Sequence, residues 1–281
     1  TFPGGSTCGS VSAGYELSGD GTIAVGLAWN ECSGVGFRWT EGEGMVALES
    51  LANGNNRASV VSADGQVIGG FAQGSFSRTP ARWAADGSGV LLDPPGGDAI
   101  GEVHGISDDG SVLLGEFDGD AVRWVKGGEP EILGSGQSLP GWIGIPTDIA
   151  DDGTIIGFDV LLTNRRAWIQ VGGTGALRRL ATWATDNGAV IPDEVSMDVA
   201  QAISADGRVV VGHGYLAAGW VMTIDPACVA DVDGSGAVDF DDLLLILAGW
   251  GTDGPGADIA EPSDLVEFGD LLAVLAAWGD C

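Results

Sequence analysis

One pattern is repeated five times over the first four fifths of the chain. Its copies begin with LSGDGTIAVG, VSADGQVIGG, ISDDGSVLLG, IADDGTIIGF and ISADGRVVVG. The glycine of each Asp-Gly pair recurs about every 44 residues, and the last interval is longer by about ten: Gly21, Gly65, Gly110, Gly153 and Gly207. A period of this size indicates an architecture in which each unit buries its apolar faces against its neighbours.

Each copy is predicted to form about four short strands. Asp-Gly favours a two-residue hairpin turn, because glycine accepts the positive φ that such turns demand. Next comes a strand with one tryptophan, and then a turn and a leucine-bearing strand. The five tryptophans are Trp39, Trp83, Trp124, Trp168 and Trp220. A four-stranded unit of about 40 to 50 residues is typical of a β-propeller blade. The sequence therefore predicts an all-β, five-bladed propeller over residues 1–226, with the tryptophans packed between blades.

The first residues of the chain are expected to close this ring. The fifth copy runs from AGWVMTI straight into DPAC, so its fourth strand is missing. Residues 1–5, TFPGG, resemble the end of the second copy's fourth strand, LLDPPGG. An N-terminal strand that completes the fifth blade would remove an exposed sheet edge.

A different pattern occupies residues 227–281. DVDGSGAVDFDD has oxygen-bearing side chains at loop positions 1, 3, 5, 9 and 12, and glycine at position 6. This is the ligand spacing of an EF-hand-type calcium loop, in which position 7 ligates through its carbonyl oxygen. The predicted calcium ligands are Asp231, Asp233, Ser235, Ala237, Asp239 and Asp242.

The segment after this loop is duplicated. VDFDDLLLILAGWG, residues 238–251, returns as VEFGDLLAVLAAWG about 28 residues later. The apolar residues have helical spacing, which predicts two loop-helix units packed face to face, with the leucines, Trp250 and Trp278 in their core. The second loop is one residue longer and lacks the central glycine. It offers a poorer ligand set: Asp258, Ala260 and Asp270.

These motifs resemble two known families. The pattern I-S-x-D-G-x-x-V-x-G followed by A-x-R-W resembles the HAF-type extracellular repeats of bacterial secreted proteins, which implies a secreted β-structure of no assigned chemistry. The duplicated tail resembles a dockerin domain clasped by terminal cysteines, which implies a small α-helical calcium module and a cohesin-like protein partner. Dockerins present small hydroxyl residues to that partner at loop positions 10 and 11. This chain has other residues there: Phe240, Asp241, Phe268 and Gly269.

The cysteine content indicates an oxidising compartment. The four cysteines form no CxxC pattern: Cys8, Cys32, Cys228 and Cys281. An even number of this kind predicts two disulfides. Three pairings are possible, and we favour Cys8 with Cys32 and Cys228 with Cys281, because each then closes within one module. Reduced, buried thiols in a cytoplasmic protein are the alternative.

The charge balance narrows the class of partner. The chain carries 40 acidic and 11 basic residues, a net charge of −29. Such a surface repels nucleic acid and anionic membranes. No apolar run approaches the roughly 20 residues of a membrane span. The N-terminus has no signal-like apolar segment, so any secretion signal has been removed or lies outside this sequence. We expect a secreted, extracellular or cell-surface protein.

Catalytic residues are not evident in the sequence. His104 and His213, expected on equivalent repeat strands of different blades, form no base-nucleophile constellation. The pairs Asp108–Asp109 and Asp151–Asp152 fall in the repeated turn, where aspartate is favoured for backbone reasons. The sequence thus predicts a non-enzymatic structural protein, whose calcium-loaded tail anchors it to a protein partner or links copies head to tail. The alternative is a propeller that binds extracellular glycans and is tethered by a dockerin to a cohesin-bearing partner.

Overall fold

The fold is given by a computed structural model. It describes residues 12–30, 32–73, 78–92, 100–135, 141–214, 218–224, 230, 232, 237–252, 259 and 265–280. The chain divides into two compact units, Thr1–Met222 and Thr223–Cys281.

Unit 1 consists of antiparallel sheets whose strands follow one another in chain order. Sheet 1 contains β1 (Ser12–Leu17), β2 (Ile23–Asn30), β3 (Ser33–Thr40) and β4 (Gly44–Ala47). Sheet 2 contains β5 (Asn56–Val61), β6 (Val67–Gln73), β7 (Arg78–Ala84) and β8 (Gly89–Leu91). Sheet 3 contains β9 (Gly101–Ile106), β10 (Val112–Phe117), β11 (Asp120–Val125) and β12 (Glu131–Gly134). Each sheet thus corresponds to one copy of the repeat.

The fourth and fifth sheets depart from this plan. Sheet 4 contains β13 (Ile143–Ile149), β14 (Ile155–Leu161), β15 (Asn164–Gln170) and β16 (Arg178–Arg179). A short helix, α1 (Leu180–Asp186), follows it and accounts for the longer last interval of the repeat. Sheet 5 has three strands in the described part of the chain, β17 (Val199–Ile203), β18 (Val209–His213) and β19 (Gly219–Thr223). Residues 1–5, predicted to be its fourth strand, lie outside the described residues.

The repeated Ser-x-Asp-Gly turn is longer than the sequence suggested. The glycines have positive φ as predicted, for example 70° at Gly21. The predicted two-residue connection is wrong, however, because the Ser18 amide closes the loop on the Ile23 carbonyl 2.9 Å away. The Ser18 hydroxyl accounts for the extra length: it donates to Asp20 Oδ1 at 2.8 Å and accepts the Ile23 amide at 3.0 Å. The hydroxyl thus replaces hydrogen bonds that a tighter turn would make within the backbone.

The repeat tryptophans pack between consecutive sheets. Trp83 lies in one apolar cluster with Val25 and Leu48 of the first repeat, and Trp168 lies in another with Leu114 of sheet 3. Four of the five are buried, as predicted: Trp83, Trp124, Trp168 and Trp220. Trp39 is 39% exposed, so the prediction is wrong there. The clusters place Trp83, Trp124 and Trp168 against residues of the preceding sheet.

The first strands of all five sheets end around one cavity of about 210 Å³. Equivalent residues of the five repeats line it: Leu17, Val61, Ile106, Ile149 and Ile203. Backbone hydrogen bonds join neighbouring turns beside it, from the Gly19 amide to the Ala63 carbonyl and from the Ala63 amide to the Asp108 carbonyl, both 2.9 Å. Unit 1 is therefore mostly β, with sheets arranged as in a β-propeller.

An ion-pair cluster also ties sheet 2 to sheet 3. The buried carboxylate of Glu102 pairs with Arg57 and, at 3.3 Å, with Arg78. The guanidinium of Arg57 also lies over the rings of Tyr15 and Phe71, 5.1 and 5.0 Å from their centres. A buried carboxylate is tolerated here because it has two cationic partners.

The described part of unit 2 contains two helices and one short ladder. They are α2 (Phe240–Gly249) and α3 (Phe268–Ala276), with β20 (Ala237–Val238) paired to β21 (Gly279–Asp280). Ile246 and Val274, each near the middle of its helix, share a core with Val238 and Val266. These are duplicated positions, 28 residues apart, so the two halves pack face to face as the sequence predicted. Among the described residues, no helix has the length and apolarity needed to cross a membrane.

Candidate functional site

The described end of the predicted calcium loop forms the N-terminus of α2. Asp239 is the N-cap, and its carboxylate accepts the Asp241 amide at 2.8 Å. Asp242 is fully buried, and its carboxylate accepts the Asp239 amide at 2.8 Å. Together they form a capping box, which satisfies amides left open in the first turn of a helix. Two predicted ligands thus also hold the helix end in place.

The second half of the unit has the same arrangement. Asp270 is fully buried and accepts the amides of Glu267 at 2.8 Å and Ile259 at 2.6 Å. Its loop departs from the calcium pattern in sequence, so capping alone is sufficient to explain a buried aspartate at this position. The case for calcium therefore rests on the ligand spacing of the first loop.

Most of the remaining predicted ligands lie outside the described residues. They are Asp231, Asp233, Ser235, Asp258 and Ala260. Ala237, predicted to ligate through its carbonyl, lies in β20. The part of the chain that the structure describes holds no group of three or more His, Cys, Asp or Glu side chains placed to bind a metal. A calcium loop is chemically compatible with Asp239 and Asp242, since hard cations bind carboxylate oxygens.

Unit 2 leaves large apolar side chains exposed, contrary to the prediction that they form its core. Phe240 and Phe268, at the two helix starts, are 60% and 61% exposed. The exposed residues are duplicated at the same interval of 28: Phe240 and Phe268, Leu244 and Leu272, Leu247 and Leu275, Trp250 and Trp278. Within each helix, positions i, i+4 and i+7 lie on one face. The core takes the opposite face, because only one side of each helix packs against its partner helix.

The positions predicted to meet a partner lie on this exposed surface. Phe240, Asp241, Phe268 and Gly269 are all solvent-exposed. Phe240 has the carboxylate of Asp241 beside it, whereas Phe268 has only the hydrogen of Gly269. The two halves therefore offer the same apolar group with different charge.

Two carboxylates in the cavity of unit 1 were not singled out from the sequence. Glu16 accepts the Val61 amide of sheet 2 at 2.6 Å, and Asp148 accepts the Ile203 amide of sheet 5 at 2.8 Å. Burial raises the pKa of Glu16 to about 7 and that of Asp148 to about 6. They occupy the same repeat position, five residues before the turn glycine, where other copies have Val60, Gly105 and Ala202. The sequence did contain a signal for these two residues, because each is a carboxylate at a repeat position that is small or apolar in the other copies.

The second aspartate of each turn pair accepts hydrogen bonds within its own turn. Asp109 Oδ1 accepts the hydroxyl of Ser107 at 2.7 Å and the amide of Ser111 at 2.9 Å. Those hydrogen bonds lower the pKa of the Asp109 carboxyl. In the fourth copy, Asp152 accepts the Thr154 amide at 2.7 Å. Both aspartates are engaged in closing their own turns.

The two histidines lie in different settings. The sequence comparison placed them on equivalent strands, and this is wrong, since His104 lies in the first strand of sheet 3 and His213 in the second strand of sheet 5. Burial, together with Arg57 and Arg78, lowers the pKa of His104 to about 4. His104 is therefore a neutral imidazole at physiological pH.

Cys32 is the one cysteine that the structure describes, and it is disulfide-bonded. Cys8, Cys228 and Cys281 lie outside the described residues, so the pairing stays a prediction.

No protein-family model and no curated protein matches the sequence. Among solved structures, TolB from Acinetobacter baumannii is similar with a TM-score of 0.52 at 16% identity, covering 76% of this chain and 52% of that one. A protein described as a TolB from Agrobacterium tumefaciens has a TM-score of 0.47 at 15% identity, covering 72% and 69%. Hydrazine synthase from Kuenenia stuttgartiensis has a TM-score of 0.44 at 10% identity, covering 74% and 70%. The chain thus spans about half the length of the first of these proteins. At such identities the likeness shows the fold alone, that of a β-propeller.

Proposed function

We propose that this is a secreted, non-enzymatic structural protein in which unit 2 attaches unit 1 to a protein partner. In this proposal unit 1 is a five-bladed propeller closed by residues 1–5, and residues 227–281 are a dockerin-like calcium module. The five sheets that share one cavity support the five-bladed arrangement.

The observation that carries the proposal is the duplicated apolar face of unit 2. Three pairs of phenylalanine and leucine side chains are exposed on two short helices, and a pair of exposed tryptophans follows the helix ends. Exposed apolar side chains that cluster on one helix face mark interaction sites in soluble proteins. Since the unit already has a core of its own, centred on Ile246 and Val274, this second face is available to a partner.

Calcium has a defined part in this proposal. Asp231, Asp233, Asp239 and Asp242 would hold it with Ser235 and the Ala237 carbonyl. Four carboxylates in one loop repel each other, and the cation would offset that repulsion. The ion would thereby fix the N-terminus of α2, where Phe240 and Asp241 stand.

The proposal is tested with the full chain and a pair of charge substitutions on the exposed face, Leu244→Lys with Leu272→Lys. Val190→Lys is the control, because Val190 is an exposed valine of unit 1. We expect light scattering in calcium to show association of the native chain and the control, and loss of association in the double variant. Helix content by circular dichroism should be unchanged in all three. Equal association of the double variant and the control would overturn the proposal.

A further inference from the structure

A cavity of about 240 Å³ lies between sheet 2 and sheet 3. Arg82, on β7, lines it from sheet 2, and Lys126, in the turn after β11, lines it from sheet 3. Glu129 is the acid in the lining. Neither Arg82 nor Lys126 forms an ion pair with any described residue. Two cations thus face one cavity in a chain whose net charge is −29.

Comparison of the repeats singles out Arg82. The arginine before the repeat tryptophan has an acidic partner in the two flanking sheets: Arg38 pairs with Glu43 at 2.7 Å, and Arg123 with Glu131 at 2.5 Å. In sheet 2 the residue paired with Arg82 on the neighbouring strand is Val90. In sheet 3 the residue paired with Arg123 in the same way is Glu131.

The acid of the sheet 2 turn is also engaged elsewhere. Asp86 accepts the amide and the hydroxyl of Ser88, at 2.9 and 2.6 Å. Among the described residues, sheet 2 therefore keeps the repeat arginine without an acidic partner, and the chain's single lysine lies on the other wall of the cavity.

The lining of the cavity also includes two exposed apolar side chains, which we call its rim. Leu91 and Val125, one from each sheet, are both 43% exposed. An occupant that suits this site combines a carboxylate, which meets the cations, with an apolar group, which covers the rim.

We propose that this cavity binds the Phe240–Asp241 corner of unit 2 from a second copy of the chain. Residues 223–281 contain thirteen acidic residues and no basic one, so every cation of the protein lies in unit 1. Phe240 and Asp241 place an exposed ring and an exposed carboxylate side by side in the first turn of α2. This inference rests on the proposed function, in which unit 2 is the docking module. It adds that the partner of unit 2 is the cavity between sheets 2 and 3 of a second copy.

The contact joins two different surfaces, so it is heterologous. A heterologous contact that does not close on itself links copies head to tail into an open filament. Blocking the cavity on one chain and the corner on another leaves a single complementary contact between the two variants. This property gives a direct test.

The test uses two full-chain variants, one with Arg82→Glu and Lys126→Glu, the other with Phe240→Ser and Asp241→Ser. We expect each alone, in calcium, to self-associate at least about tenfold more weakly than the native chain, and an equimolar mixture to give dimers by sedimentation velocity but nothing longer. Arg165→Glu with Arg208→Glu changes the charge equally on exposed residues and should associate like the native chain.

Several outcomes of the association measurements would each overturn this inference. In the first, the Arg82→Glu/Lys126→Glu chain self-associates as strongly as its charge control, the Arg165→Glu/Arg208→Glu chain. In the second, the equimolar mixture of the two variants forms no dimers. In the third, the native chain stays monomeric. If association is lost only in the Leu244→Lys/Leu272→Lys chain, unit 2 remains the anchor and its partner surface lies elsewhere. Saturable binding of a polyuronic acid to the cavity, in place of a second copy, would also overturn it.

Carbodiimide cross-linking locates the contact. Lys126 is the only lysine, so an amide formed between its amine and a carboxylate, with loss of water, identifies its neighbour by mass spectrometry. We expect a cross-link between Lys126 of one copy and Asp241 of another. Lys126→Arg should abolish the cross-link and keep the association. Cross-links from Lys126 only to acids of unit 1 would contradict the proposed contact.

Discussion

The two units are both built from repeats, but they place their large apolar residues differently. In unit 1 the repeated tryptophan is buried in sheets 2 to 5, between neighbouring sheets. In unit 2 the repeated tryptophan, Trp250 and Trp278, is about half exposed. The sequences alone make the two cases look alike, since each is a large apolar residue at a fixed repeat position.

The difference follows from the number of repeat copies in each unit and from the way in which neighbouring copies pack. A sheet has two faces, and each sheet in a series has a neighbour to cover them. Two helices that pack face to face cover only one face each. Unit 2 therefore keeps an apolar surface after its own core is complete, whereas unit 1 uses its repeat residues for packing. The site of interaction is accordingly expected on the smaller unit.

The largest expected effect is the cost of removing a buried repeat tryptophan. Trp83→Ala should lower the free energy of unfolding of unit 1 by about 3 to 5 kcal/mol, because it leaves a cavity between two sheets and removes the hydrogen bond from its indole nitrogen to the Glu49 carbonyl. Trp278→Ala should cost about 1 kcal/mol or less. Denaturant unfolding measures both. A cost for Trp278→Ala equal to that for Trp83→Ala would remove the distinction between the units.

Much of unit 1 could be predicted from the sequence because the repeat is a local pattern. The positive φ of the turn glycine and the tryptophan strand each depend on only a few neighbouring residues. Turn length could not be predicted in this way, because it depends on the Ser18 hydroxyl bonding to Asp20 and to the Ile23 amide. The exposure of Trp39 could not be predicted either, because all five tryptophans occupy the same position of the repeat.

The candidate sites were harder to predict for a related reason. Helical spacing shows that the leucines of unit 2 share a face, but it does not show which face meets the partner helix. Glu16 and Asp148 lie 132 residues apart, and only the arrangement of the sheets brings them to one cavity. Arg82 has no local signal either, since its significance comes from an acid that is present in sheets 1 and 3 and absent beside it.

A smaller effect is expected from calcium removal, and it should be confined to unit 2. A calcium ion that binds only the folded form stabilises that form by about 2.7 kcal/mol when the free calcium concentration is 100 times the dissociation constant. Chelation should therefore speed amide hydrogen exchange at Ile246 and Val274, and leave Val103 and Ile155 of unit 1 unchanged. Asp231→Asn should have the same effect as chelation. Exchange in unit 2 that is indifferent to calcium would show that capping alone holds the helices.

The smallest effect concerns Glu16, where unit 1 departs from its own repeat. Burial raises the pKa of Glu16 to about 7, whereas its ordinary value is 4.5. Between these values the folded chain holds a proton that the unfolded chain has lost, so the free energy of unfolding falls as the pH rises. We expect a fall of about 2 kcal/mol from this group between pH 4.5 and 7.5.

Glu16→Gln should remove that part of the pH dependence and stabilise unit 1 above pH 7. The amide oxygen of glutamine can still accept the Val61 amide, so the link from sheet 1 to sheet 2 is kept while the buried charge is not. The exposed Glu41→Gln is the control and should leave the profile of stability against pH as it is in the native chain. Asp148→Asn should change the pH dependence of stability in the same direction but over a narrower pH range, because burial raises the pKa of Asp148 only to about 6. If Glu16→Gln leaves the pH profile unchanged, the carboxylate is solvated in the folded protein, and the cavity where the five sheets meet is open to water.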